Sequence, residues 1–122
     1  MADRRQLEIL MRGVAAWNAW REENPSAQVD LRGANLQGAD LRGAYLHMIN
    51  LQAANLQGAN LSGVLLLKTD LRGANLRGAN LQKADLQGTD LRRANLQGTN
   101  LQQAMLNRAD LRGADLLQAD LD

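Results

Sequence analysis

The chain has 122 residues, enough for one domain, and carries 14 basic and 13 acidic residues for a net charge of +1. That balance excludes a field strong enough to argue for a nucleic-acid or membrane partner. With no Cys, one His and no Phe, disulfides, a thiolate metal site and an ordinary aromatic core are excluded as well.

Residues 1–24 differ in composition from the rest. Leu7, Leu10, Met11, Val14 and Trp17 recur at helical spacing, which predicts one α-helix with a single apolar stripe. Asp3, with Gln6 three residues later, approximates a capping box, and Pro25 ends the helix at or before Asn24. Ile9 and Trp20 fall off the stripe and are expected to pack against a linker over 25–28. No apolar run is long enough for a bilayer, and no signal-type apolar segment opens the chain. The expected compartment is the cytoplasm.

From Val29 to Asp122 a leucine falls every fifth residue, from Leu31 through Leu121. Two residues before each Leu stands a small or β-branched residue, mostly Ala, and one before it Asn or Asp. Two after it Gly is most frequent, as in Ala34-Asn35-Leu36-Gln37-Gly38. Such a repeat is read before anything else. On an α-helix a step of five advances roughly 140° net and scatters the leucines, while on a flat strand it throws them onto alternate faces. Keeping every Leu in one core therefore requires the chain to turn once per repeat, with Gly at the corner. Coils stacked at β-spacing then give the backbone groups their partners.

This pattern resembles the pentapeptide repeat family, whose signature is Ala-Asp/Asn-Leu-X-X. The resemblance implies an all-β solenoid, a right-handed quadrilateral β-helix with four pentapeptides per coil and about five coils. The expected organisation is a capping helix over 1–24, a linker over 25–28 and a β-helix over 29–122. Only Tyr45, Leu65 and Met105 break the Asn/Asp rule, and they are separated by multiples of twenty residues, as four repeats per coil would place them on one face. The segment Gly13-Val14-Ala15-Ala16-Trp17-Asn18-Ala19-Trp20-Arg21 also looks like the leader that precedes the repeats in cyanobacterial members.

Sorted by face, Asp30, Asp70, Asp90 and Asp110 alternate with Arg32, Arg72, Arg92 and Arg112, with Asn50 and Gln52 completing the series. The aspartates cancel the field of the arginines, so this face reads as solvated rather than as a phosphate-binding stripe. The faces centred on Leu36 and Leu41 are near-consensus, with amide ladders such as Asn35, Asn55, Asn75 and Asn95. The fourth face departs. Tyr45, His47, Met48, Leu65, Leu67 and Met105 occupy positions that are mostly polar elsewhere, and they form the candidate protein interface. Leu116, Leu117 and Leu121 belong to a last coil with nothing stacked beyond it, which predicts a homodimer through that end.

No catalytic, cofactor or metal site is expected. One His, two Ser (Ser26 and Ser62) and regularly spaced, hydrated carboxylates supply no nucleophile–base pair. The glycines belong to the five-residue period and not to a phosphate loop. The reading is a non-catalytic protein-interaction or scaffold module whose partner is another protein, with no nucleic acid and no membrane. Two alternatives stand beside it. One is a DNA mimic binding DNA gyrase, as some members of the resembled family do, although the ten basic and nine acidic residues of 29–122 disfavour it. The other is a purely structural unit.

Overall fold

The computed structural model describes residues 1–122. Two helices, α1 (Arg4–Met11) and α2 (Val14–Glu23), precede a solenoid. The solenoid's sides are so short that each is a single paired residue, the one before each Leu. Every bridge is parallel and joins residues twenty apart, as in Asp30–Asn50, Asn35–Asn55, Asp40–Asn60 and Tyr45–Leu65. Four repeats therefore complete one coil, and residues of equal phase stack.

The five N–H groups of a typical repeat are fully accounted for, which is the condition a buried backbone has to meet. Asn50 donates back to Val29 O at 3.0 Å, while Leu51 and Ala53 donate onward to Asp70 O and Arg72 O at 2.8 and 2.9 Å. Ala54 closes the corner on Leu51 O at 3.0 Å. The remaining N–H, of Gln52, is taken by Asn50 Oδ1 at 3.0 Å. This side-chain turn is why Asn or Asp precedes Leu: only a short side chain with an acceptor reaches an N–H two residues on. The third residue of each corner has positive φ, as a type II turn requires. Gly supplies it at Gly33 and Gly73, but Met48, Ala53, Lys68, Lys83, Arg93, Gln103, Arg108 and Gln118 adopt it too, with φ of 54–62°.

Inside, Leu31 through Leu96 and the Ala two residues before most of them are buried, a core free of aromatic rings within the coils. Thr69, Thr89 and Thr99 replace that Ala without leaving a buried hydroxyl unsatisfied. They donate to Leu46 O, Leu66 O and Leu76 O at 2.6, 2.6 and 2.8 Å.

The N-terminal segment is two helices where the apolar stripe predicts one. Gly13, at φ 125° and ψ 164°, breaks the helix and leaves each half to set its own face. Leu10 and Trp17 are buried, but Met11, expected inside, is 61% exposed. The expected capping box forms by half. Asp3 Oδ1 accepts from Gln6 N at 3.1 Å, whereas the Gln6 side chain reaches across to Gln28 O and Asp30 N at 3.0 and 2.8 Å. Ile9 and Trp20, expected against the linker, are half-buried. They line a groove between the helices, with Trp20 stacked on Trp17 at 5.4 Å.

The helices fit a cap. Asp30 and Tyr45 lie on the outer rim of the first coil, where a preceding coil would otherwise supply backbone partners. For Asp30, Gln6 Oε1 accepts from its N–H and Asp3 N donates to its carbonyl at 2.7 Å. For Tyr45, Asn18 Oδ1 accepts from its N–H and Trp17 Nε1 donates to its carbonyl, both at 2.9 Å.

Candidate functional site

Three repeats of the fourth face lack the side-chain turn. With Tyr45, Leu65 and Met105 in the Asn/Asp position, the N–H groups of His47, Leu67 and Asn107 find no side-chain acceptor. Those three repeats each give up a hydrogen bond and gain apolar surface, while Asp85, on the same face, keeps the turn by accepting from Gln87 N at 3.1 Å.

The structure divides the candidate interface into two parts. Tyr45 and His47 are half-buried beneath α2, and their rings lie 6.3 Å apart. Arg21 Nη2 donates to His47 O at 2.9 Å, so α2 is fastened along this edge by Trp17, Asn18 and Arg21 in succession. Arg21 Nη1 and His47 Nδ1 are buried there without partners. Burial pushes the His47 pKa below its ordinary value, and the neighbouring Arg21 charge pushes it the same way.

Met48, Leu65 and Met105 remain open, at 65%, 38% and 45% exposure, with Leu67 half-buried beside them. Met48 owes its exposure to the corner, where its φ of 56° turns the side chain off the coil. Tyr45 bridges to Leu65, Leu65 to Asp85 and Asp85 to Met105, so an aspartate separates the last methionine from the rest of the patch. Gln87 Nε2 lies 3.7 Å from Met105 Sδ. In the last coil, Leu116 is half-buried while Leu117 and Leu121 are 64% and 57% exposed.

The first face is a set of forks more than a ladder. Arg32, Arg72, Arg92 and Arg112 each grip the Asp two residues earlier at 2.5–2.7 Å, while contacts to the next coil, Arg72–Asp90 and Arg92–Asp110, are 3.6 and 3.7 Å. Hydrogen bonding from Arg32 holds Asp30 at about 2, and that from Arg112 holds Asp110 at about 2. Sequence reasoning did not single out the same fork between Asp40 and Arg42, at 2.7 Å. The shared spacing of Asp and Arg around Leu41 was its signal. It also passed over Asn18 and Arg21, which bond to residues 25 to 27 positions away and carry no local signature.

The pentapeptide repeats family matches over residues 27–57, 54–93 and 89–122, in eight copies. A pentapeptide repeat protein from the thylakoid lumen of Arabidopsis thaliana shares 34% identity and a TM-score of 0.59, over 73% of this chain and 66% of its own. A pentapeptide repeat protein from Nostoc Pcc 7120 shares 44% identity and a TM-score of 0.58, over 62% of each chain. The chain thus spans just under two thirds of the length of either structure. No curated protein matches it. The twenty-residue register, the side-chain turn before every consensus Leu and the family match across the repeats lead to one assignment: the chain belongs to the pentapeptide repeat family.

Proposed function

We propose that this protein is a non-catalytic interaction module, a rod of nearly five coils whose fourth face meets a protein partner. The observation that carries the reading is the open apolar surface of Met48, Leu65 and Met105 on the one face where repeats forgo the Asn/Asp turn, three of them in all. A solenoid position that gives up a backbone hydrogen bond and exposes a large apolar side chain loses on both counts in the free chain. A partner that covers the surface recovers the second loss. Tyr45 and His47 support the patch from beneath α2 and are not its contact surface.

The DNA-mimic alternative is weaker. A mimic of duplex DNA has to present uncompensated negative charge, and here five aspartates are forked to arginines of their own repeats. A supercoiling assay with DNA gyrase decides it, and inhibition there overturns the present reading.

The test uses Met48→Asp with Leu65→Asp. Asp is the residue that position 65's equivalents carry at Asp70, Asp85 and Asp90, and position 48 accepts Asp at positive φ. The variant is therefore expected to keep its circular dichroism and melting temperature. A protein recovered by the immobilised wild-type chain and lost by this variant supports the reading; equal recovery overturns it.

A further inference from the structure

The outer side of the α1–α2 pair carries a groove remote in role from the fourth face. Trp17 and Arg21 turn toward the first coil, whereas Ile9, Ala19 and Trp20 line the groove. Ile9 and Trp20 are only half-buried. Trp20 is not a loose side chain, because it stacks at 5.4 Å on Trp17, which is fully buried and hydrogen-bonded to the first coil. The groove thus offers a half-open indole whose position is already fixed, the kind of anchor that loses little freedom on binding.

Arg4, Arg5 and Arg12 also line it. None of the three enters an ion pair, in contrast to the forked arginines of the first face. Arg4 and Arg5 also stand in the first turn of α1, which has no acidic residue. The helix dipole disfavours cations at that end, so these two residues weaken the helix they begin. A local choice that opposes the fold is a mark of a residue kept for another purpose. Glu8 and Glu23 are the acidic members of the lining. They argue against an extended phosphate backbone, which brings negative charge along its whole length.

We propose that this groove receives a segment of a partner protein in which an aliphatic or aromatic side chain is flanked by carboxylates. The apolar side chain seats against Ile9 and Trp20, and the carboxylates meet Arg4, Arg5 and Arg12 in bidentate pairs.

The probe is a short synthetic peptide with glutamates around a central Leu-Phe pair, titrated into the full chain by calorimetry and by tryptophan fluorescence. Trp17 and Trp20 are the two tryptophans, and only Trp20 has surface to lose. Binding is expected with a change in emission, and Arg5→Glu with Arg12→Glu is expected to weaken it about tenfold or more. Both arginines are exposed, so that variant folds as the parent does. Absence of binding, equal binding of a peptide with lysines in place of the glutamates, or unchanged affinity of the variant overturns the proposal. So does tighter binding to a DNA duplex or to anionic phospholipid vesicles than to the peptide. Met48→Asp with Leu65→Asp is expected to bind the peptide as the wild type does; loss there assigns the peptide to the fourth face and overturns the proposal.

Discussion

Trp17 donates its indole N–H to the backbone carbonyl of Tyr45 at 2.9 Å, joining the one fully buried ring of the cap to the first coil of the solenoid. The bond does for one rim carbonyl what a preceding coil does for its counterparts further down, where Leu46 N donates to Leu65 O and Leu66 N to Asp85 O. Trp17→Phe keeps most of the packing and strands the carbonyl, an expected cost of about 1–3 kcal/mol. Trp17→Ala removes the packing as well and is expected to cost about 3–5 kcal/mol. Denaturant unfolding of the three proteins checks the order; a Phe variant as stable as wild type contradicts the role given to the bond.

His47 gives the cap a pH dependence. Its folded pKa lies below the ordinary 6.5, first through burial and then through the Arg21 charge, so the unfolded chain takes up the proton first. Stability from the neutral imidazole is therefore fully present above about 6.5 and is lost as pH falls through that value toward the folded one. Arg21, Glu22 and Tyr45 share the pocket with it. The Asp30 and Asp110 carboxylates act lower: stability from their depressed values is present above 3.8 and lost as pH falls toward about 2. The denaturation midpoint is expected to drop as pH falls below about 6.5. His47→Gln is expected to flatten that drop, and an undiminished drop in this variant places the titration elsewhere.

Leu65 sits where Asn50, Asn55 and Asn60 each accept the N–H two residues on, and so leaves the Leu67 N–H without an acceptor. Leu65→Asn is expected to supply that bond and raise stability by about 0.5–1.5 kcal/mol. Because Leu65 is 38% exposed, the loss of its apolar contacts is partial. A stabilised Leu65→Asn protein that has also lost its partner is the signature of a residue retained for binding. A destabilised one returns Leu65 to the fold.

What the sequence disclosed and withheld follows from how far each signal reaches. Leu31 to Leu121 announce a coil because an odd period fits neither helix nor flat strand, and Tyr45, Leu65 and Met105 mark its twenty-residue phase. The break at Gly13 was hidden because Leu10, Val14 and Trp17 keep helical spacing across it. Tyr45 and His47 read as outward because period alone places them there. Their burial depends on Trp17 and Arg21, 28 and 26 residues away, and no local pattern encodes that contact.

The corners supply the last prediction. Gly73 at φ 66° and Lys83 at φ 61° hold the same turn position, yet only Gly reaches this conformation without steric cost. Nothing lies within 4 Å of a Cβ added at Gly73, so Gly73→Ala tests the backbone alone. It is expected to cost about 1–2 kcal/mol. The reverse change, Lys83→Gly, relieves the same strain but adds freedom to the unfolded chain, which returns about 0.5–1 kcal/mol of the gain. The expected outcome is an asymmetry: a clear loss at Gly73, and at Lys83 a gain of no more than about 1 kcal/mol. Thermal unfolding of the two variants beside wild type measures it. A Lys83→Gly protein less stable than wild type would show that the lysine stem, packed along the coil, outweighs the strain of its own backbone.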